Sequence, residues 1–250
     1  MTRINANAPD ANASSALTGK VALVTGGSRG IGRAIALRLA GMGAAIGICG
    51  RNRTALEAVR GELQQLGARA FAQPADVTRG EEVRELVAKV ETALGPITIL
   101  VNNAGLGVFG PVQESTEEEW DAVLATNLKG VFLVSRAVLP GMMRRKSGDI
   151  INISSLAGRN AFAGGAIYCA SKWGLQGLTA SMAEDLRAFN IRVSAVLPGS
   201  VATEFGPGSG AKNASNALVP EDVAHAVAMV LTQREQSFIS EIQLRPLHKK

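Results

Sequence analysis

"VALVTGGSRGIGRAIALRLA", residues 21–40, decides how this chain folds. The apolar, β-branched run before Thr25 suits a strand buried on both faces. After a Gly/Ser cluster, Ile31, Ile35 and Leu39 recur at helical spacing. A strand that stops in glycines and restarts as a helix brings backbone close to a ligand. Two chemistries fit this loop. Gly26-Gly27-Ser28-Arg29-Gly30 satisfies G-x-S-x-G, the elbow that exposes the nucleophilic serine of serine hydrolases. Read from Thr25 to Gly32, the same residues form a glycine loop that seats a phosphate against a helix N-terminus.

Histidine separates the two. A serine nucleophile needs a histidine base held by an acid. This chain has His225, inside a helical pattern, and His248, in a basic tail. Neither is placed to serve Ser28, and the serine follows the first strand rather than a later one. The loop therefore reads as a pyrophosphate seat. Its spacing, Thr25-Gly26-x-x-x-Gly30-x-Gly32, departs from the common G-x-G-x-x-G.

Outward from this unit, short apolar runs alternate with helical patterns. Strands are expected at Lys20–Thr25, Ala44–Cys49, Arg69–Gln73, Ile97–Val101, Asp149–Ser154, Ile191–Leu197 and Phe238–Leu244. Helices are expected at Ile31–Ala40, through Leu56, Val59, Leu63 and Leu66, at Glu81–Leu94, within Trp120–Met143, at Tyr168–Arg187 and at Pro220–Leu231. Such alternation predicts an α/β fold: a doubly wound, Rossmann-like parallel sheet of about seven strands in three layers. No linker divides the chain. Residues 17–250 are expected to form one catalytic domain behind a disordered lead at 1–16, and Gly206–Leu218 a polar loop suited to a lid.

Composition narrows the classes. The 250 residues are 46% hydrophobic and 19% charged, which suits a compact globule with a sizeable core. Net charge is +5 and the pI about 9.6, yet the cations are scattered without interleaved aromatics, which argues against nucleic acid. Residues 1–16 lack the apolar core of a signal peptide, and no run approaches the ~18 apolar residues of a membrane span. A cytoplasmic protein, off the membrane, is expected. Cys49 and Cys169 have no zinc-type spacing and read as buried free thiols; no metal is expected.

The second strand speaks to the cofactor. NAD-binding folds place an acid about 20 residues past the glycine loop, on the ribose 2′-OH. Here that strand runs into Gly50-Arg51. Arg51, with Arg29 from the loop, offers guanidinium forks suited to a 2′-phosphate, so NADP(H) is expected over NAD(H). Tyr168, the one tyrosine in the chain, precedes Lys172 by a helical turn. A phenol titrates near ~10, and a neighbouring ammonium is expected to lower that value and make Tyr168 an acid/base.

These stretches together resemble the short-chain dehydrogenase/reductase family over roughly residues 17–235. "TGGSRGIG" resembles its cofactor loop, "NNAG" (Asn102–Gly105) its fourth-strand motif and "YCASK" (Tyr168–Lys172) its active-site motif. "INISS" (Ile151–Ser155), thirteen residues before Tyr168, is similar to its serine motif, and "LPGSVAT" (Leu197–Thr203) to its Pro-Gly segment. The resemblance implies that Ser155 steadies the substrate oxygen and Tyr168 moves the proton. Lys172 would bind the nicotinamide ribose, and Asn127 would hold a water linking Lys172 to solvent. It implies cofactor contacts from Gly26, Ser28, Arg29, Gly30, Ile31, Gly32 and Arg51, then Asp76 and Val77 at the adenine. Asn103, Ala104 and Gly105 would line the channel; Pro198, Gly199, Val201 and Thr203 would flank the nicotinamide. Ser154 would be structural. The ending "SFISEIQLRPLHKK" departs from the family's usual C-terminus, which leaves that wall of the pocket open.

The expected activity is reversible reduction of a ketone or 3-oxoacyl group by a 3-oxoacyl reductase-like member. The pocket walls, Leu106–Phe109, Leu156–Ile167 and Thr203–Leu218, are expected to be mostly small and apolar. Arg144-Arg145-Lys146 is open to two readings, a solvated helix end or a patch for an acidic carrier protein. A homo-oligomer, tetramer or dimer, is expected through Trp120–Met143 and Tyr168–Arg187. The alternatives are a dinucleotide-binding sensor or scaffold without catalysis, and an NAD-dependent alcohol dehydrogenase.

Overall fold

The computed structural model describes residues 15–205 and 216–247. Strand β1 (Val21–Thr25) is buried along its whole length. Successive side chains of a strand point to opposite faces. Accordingly Ala22 and Val24 enter one apolar cluster while Val21 and Leu23 enter another. Both faces must then be covered, and helices cover them.

Each connection supplies one or more helices: α1 (Gly30–Gly41), β2 (Ala45–Gly50), α2 (Arg53–Gln65), β3 (Ala70–Pro74), α3 (Gly80–Leu94) and β4 (Ile99–Asn102). The order continues with α4 (Glu117–Leu124), α5 (Gly130–Arg145), β5 (Gly148–Ile153), α6 (Ala166–Leu186), β6 (Ile191–Pro198), α7 (Pro220–Leu231) and β7 (Glu241–Leu244). Local chemistry sets several starts. Asn52 caps α2 by accepting from the Ala55 amide, and Thr116 and Glu119 form a reciprocal capping box on α4. Pro220 opens α7, where its missing N–H costs nothing.

The seven strands form one parallel sheet ordered β3-β2-β1-β4-β5-β6-β7. Helices α1, α2 and α7 bury Ile35, Leu39, Leu56, Leu63 and Val227 on one face. Helices α3, α5 and α6 bury Leu86, Val90, Val138, Met142 and Leu186 on the other. This is the three-layer, doubly wound fold. The strand order reverses beside β1, where β2 and β4 flank it, and ligands of such sheets bind at the carboxyl ends of those strands.

The expected helix within Trp120–Met143 is two helices joined by a π-helical turn, Ala125–Lys129. The run Glu117–Arg145 is long and apolar enough by composition to cross a membrane, with a mean hydropathy of 1.5 over eighteen residues. In the fold, α5 places Val131, Val134, Val138 and Met142 in the core, while Trp120 and Phe132 stay exposed. Residues 1–14, most of the expected lead, lie outside the described residues; Leu17 is buried. Most of the expected lid, at 206–215, and His248 also lie outside them. Both cysteines are buried and free.

A buried polar chain fixes β4, β5 and α6 in register. The Asn102 amide donates to Asn152 Oδ1 (2.9 Å), and Asn152 donates to Thr179 Oγ1 (2.9 Å). Removing a partner from such a chain strands the others at about 1–3 kcal/mol. Asn152→Ala should therefore lower unfolding stability by about 2 kcal/mol in a urea titration; a change within about 0.5 kcal/mol would show that the chain is dispensable.

Candidate functional site

The C-terminal ends of the strands open into one cleft of about 1540 Å³. That exceeds the roughly 300–1,000 Å³ of a typical small-molecule site, leaving room for a dinucleotide and a substrate together. Of the sequence-predicted residues, all but Gly32 and Asn127 line it. Those two stand directly behind the wall.

The glycine loop forms one end. Gly26 takes a φ of 65°, open to glycine at little cost. A Cβ on Gly32 would collide with the Gly26 carbonyl oxygen and the Asn103 side chain, so α1 packs directly beneath the loop. Asn103 Nδ2 donates to the carbonyls of Thr25 (3.0 Å) and Gly26 (3.1 Å). Thr25 Oγ1 in turn accepts from the Asn103 and Ala104 amides, both at 3.0 Å. The ends of β1 and β4 are thus clasped. No side chain caps the N-terminus of α1, and no acid occupies its first turn. Its amides are free for an anion, so the residues present fit a dinucleotide pyrophosphate.

Beside the loop, Arg51 is exposed and Asp76 half-buried. Burial alone would raise the Asp76 carboxyl. The amide and hydroxyl of Thr78, with the Arg51 and Arg79 guanidiniums, hold it below the ordinary value. Arg29 pairs across the mouth with Glu204 at 2.9 Å, an exposed contact that sequence reasoning missed. Ser28 has no histidine partner: among the described residues His225 is the one histidine, exposed on α7.

At the other end, α6 places Tyr168 and Lys172 on one face, both buried. Lys172 Nζ donates to the Ile153 carbonyl (3.0 Å) and lies 5.7 Å from the centre of the Tyr168 ring. Ser155 begins the short turn after β5, and its hydroxyl accepts from the Ala157 amide. Burial pushes the Tyr168 phenol up to about 12, with Ser155 offsetting part of the rise. Burial also pushes the Lys172 ammonium down to about 8. Burial thus outweighs the lowering that the neighbouring lysine was expected to give.

Asn127 sits in the π turn. Its amide accepts from Leu106 N (2.7 Å) and donates to Leu106 O (2.8 Å) and Ser171 Oγ (3.0 Å). Ser171 then donates to the Tyr168 carbonyl (2.7 Å). The side chain is thus engaged with protein groups that position the channel segment and α6. Val201 bridges to Leu218 in parallel, and Pro246 packs on Gly199, so the atypical C-terminus closes that wall with Arg245 lining it.

The cleft wall also carries large rings: Phe109, Phe162 and Phe205 arrive from three separate segments, Phe109 and Phe205 against Tyr168 and Phe162 against Phe109. No sequence periodicity connects them. The Arg144-Arg145-Lys146 cluster lies at the end of α5 that leads into β5, away from the cleft, and Arg145 is engaged with the Ile97 carbonyl.

Comparison with known proteins follows the geometry. The family model for short chain dehydrogenase matches residues 20–214. A 3-oxoacyl-[acyl-carrier-protein] reductase, FabG, of Staphylococcus epidermidis is 44% identical over 188 residues, covering 74% of this chain and 77% of the relative. An uncharacterized oxidoreductase of Staphylococcus aureus is 35% identical over 92% of this chain and 99% of its own length. Among solved structures, a metagenomic short-chain oxidoreductase in complex with NADP is 45% identical, with a TM-score of 0.83 over 94% of this chain and all of its own. An alcohol dehydrogenase from the archaeon Thermococcus sibiricus, complexed with 5-hydroxy-NADP, is 32% identical, with a TM-score of 0.87 over 92% of this chain and 98% of its own.

Because Tyr168 is the one tyrosine, phenolate absorbance near 295 nm reports it alone. With circular dichroism tracking the native fraction, the ligand-free midpoint should lie near 12. Lys172→Met should leave it there; a midpoint below 10 that rises in the variant would show that the lysine charge governs the phenol. Lys172 itself is depressed from 10.5 to about 8. Between those values the unfolded chain holds a proton the folded chain has released, so stability should rise with pH from 8 to 10 in denaturant titrations. Tyr168 acts oppositely: its contribution is full below pH 10 and is lost toward 12.

Proposed function

The chain belongs to the short-chain dehydrogenase family, and on that premise we propose that it is an NADP(H)-dependent reductase converting a ketone or 3-oxoacyl group to a secondary alcohol, reversibly. The observation that carries this reading is the convergence of Ser155, Tyr168 and Lys172 at one end of a cleft whose other end is an uncapped helix behind a glycine loop. Residues 17–250 act as one catalytic domain.

When bound, NADP(H) supplies the hydride acceptor or donor; the protein supplies position and the proton. Gly26, Ser28, Gly30 and Ile31 would face the pyrophosphate, with Asp76 and Val77 at the adenine. Arg51, with Arg29 released from Glu204, would fork onto the 2′-phosphate. Asn103, Ala104, Gly105, Pro198, Gly199, Val201 and Thr203 would border the nicotinamide channel. Ser155 Oγ donates to the substrate oxygen as negative charge develops there. Tyr168 Oη then delivers its proton to that oxygen. Its raised value keeps it protonated at neutral pH, the form needed for reduction. Lys172 is held beside the phenol by the Ile153 carbonyl and is mostly charged at pH 7.

An oligomer also belongs to this reading. Trp120, Phe132 and Trp173 stay exposed, beside a groove lined by Leu124, Leu128, Phe132, Gly174 and Leu178. Aromatics of this size on a helical face suit a protein interface. The reading places the protein in the cytoplasm, off membranes and nucleic acid.

Tyr168→Phe should lower NADPH-driven ketone reduction by about 10³-fold while NADPH binding survives. An unaffected rate would refute the mechanism, and absence of turnover in wild type would favour a binding protein. Arg51→Ala should weaken NADPH about tenfold and leave NADH unchanged; equal loss for both would return the assignment to NAD. Light scattering should give a multiple of 25.9 kDa, and Trp173→Glu with Phe132→Glu should reduce it; a wild-type monomer would remove the interface.

A further inference from the structure

Aromatic residues are 4% of this chain, yet two of its seven phenylalanines stand against its single tyrosine and a third stacks behind one of them. Phe109 meets the Tyr168 ring edge-on, with centroids 5.3 Å apart and planes at 68°. Phe205 lies 5.9 Å from the same ring, and Phe162 lies 6.0 Å from Phe109. All three line the cleft and remain exposed, at 41%, 37% and 48%. Apolar rings left open around a group that meets substrate are ready to be covered by it.

The rings are seated, not stray. A Cβ on Gly107 would come within 2.7 Å of Phe205 and 3.0 Å of Phe109, and a Cβ on Gly165 within 2.5 Å of Phe162. Rings and backbone are in direct contact at both places, which holds the three rings where they stand. Ala161 and Ala217 leave space between them.

Resting on the proposed reductase activity, we infer that Phe109, Phe162 and Phe205 form a subsite for an aromatic ring on the substrate, making the preferred substrates aryl-substituted ketones rather than aliphatic 3-oxoacyl thioesters. Burial alone cannot distinguish a phenyl from a cyclohexyl group and slightly favours the more apolar cyclohexyl. Offset and edge-to-face geometry rewards only the aromatic ring, by roughly two- to tenfold for each good pair. Two such pairs span roughly four- to a hundredfold, so a preference of about tenfold is expected. The Arg144 cluster plays no part, since it lies at the far end of the sheet.

The test compares 4-phenylbutan-2-one with 4-cyclohexylbutan-2-one, whose carbonyls are electronically alike, and an acetoacetyl thioester of N-acetylcysteamine. NADPH oxidation by the wild-type enzyme should show kcat/KM about tenfold or more higher for the phenyl ketone than for either other substrate. Phe162→Leu and Phe109→Leu should each cut the phenyl-to-cyclohexyl ratio several-fold, with NADPH affinity retained. A ratio near one, a ratio unchanged in both variants, or a thioester preferred over both ketones overturns the aromatic subsite while the reductase reading stands. If none of the three is turned over, both fall together.

Discussion

The arrangement of the site depends on one clasp. Where the strand order reverses, Thr25 and Gly26 at the end of β1 accept four hydrogen bonds from Asn103 and Ala104 past the end of β4. Parallel strands diverge at their carboxyl ends, and the crevice between them is where a ligand enters. Without the clasp, the glycine loop and the Asn103–Gly105 segment would each be free loops. With it, the floor of the cleft is a rigid piece joined to two core strands. The next residue back extends the hold: Asn102 reaches Asn152 on β5, and Asn152 reaches Thr179 on α6. The helix carrying Tyr168 and Lys172 is thereby tied through β5 and β4 to the strand that leads into the glycine loop.

The π turn closes the circuit from the opposite side. A regular helix through Ala125–Lys129 would satisfy its backbone but offers no reason to bury Asn127. Widening one turn turns the Asn127 amide toward Leu106, whose N–H and C=O it satisfies together. Leu106 lies in the irregular stretch after β4, where neither sheet nor helix provides partners. A buried loop must find them elsewhere. The same amide reaches Ser171, and through it the Tyr168 carbonyl. One asparagine therefore ties the channel wall to α6.

Much of this was legible in the sequence because it follows from periodicity. All seven strands stand within two or three residues of where apolar runs ended, and α7 begins at the expected Pro220. The glycine loop, Arg51, Tyr168 and Lys172 stand out by local spacing and residue type, and Ser155 by the family resemblance. What stayed hidden is long-range. The π turn has no composition signal, since Ala-Thr-Asn-Leu-Lys reads as ordinary helix. Phe109, Phe162 and Phe205 come from irregular segments and become neighbours only when the sheet brings them together. The Arg29–Glu204 pair spans 175 positions. Proximity of Lys172 to the phenol is legible from spacing, but the burial that pushes the phenol up is not, because it depends on the packing around α6.

That burial has a directional consequence. A phenol at about 12 is well protonated at pH 7, a good state from which to give a proton and a poor one from which to take it. Reduction needs the first and oxidation the second. Burial outweighs the lowering by Ser155. Positive charge brought in beside the phenol would lower it further, and an oxidised nicotinamide is a cation. Under the proposed chemistry the acid is therefore built into the fold, whereas the base is made by the cofactor's charge state. The two directions of one reaction would then differ in pH dependence, reduction holding until the phenol ionises in the cofactor complex and oxidation gaining as it does.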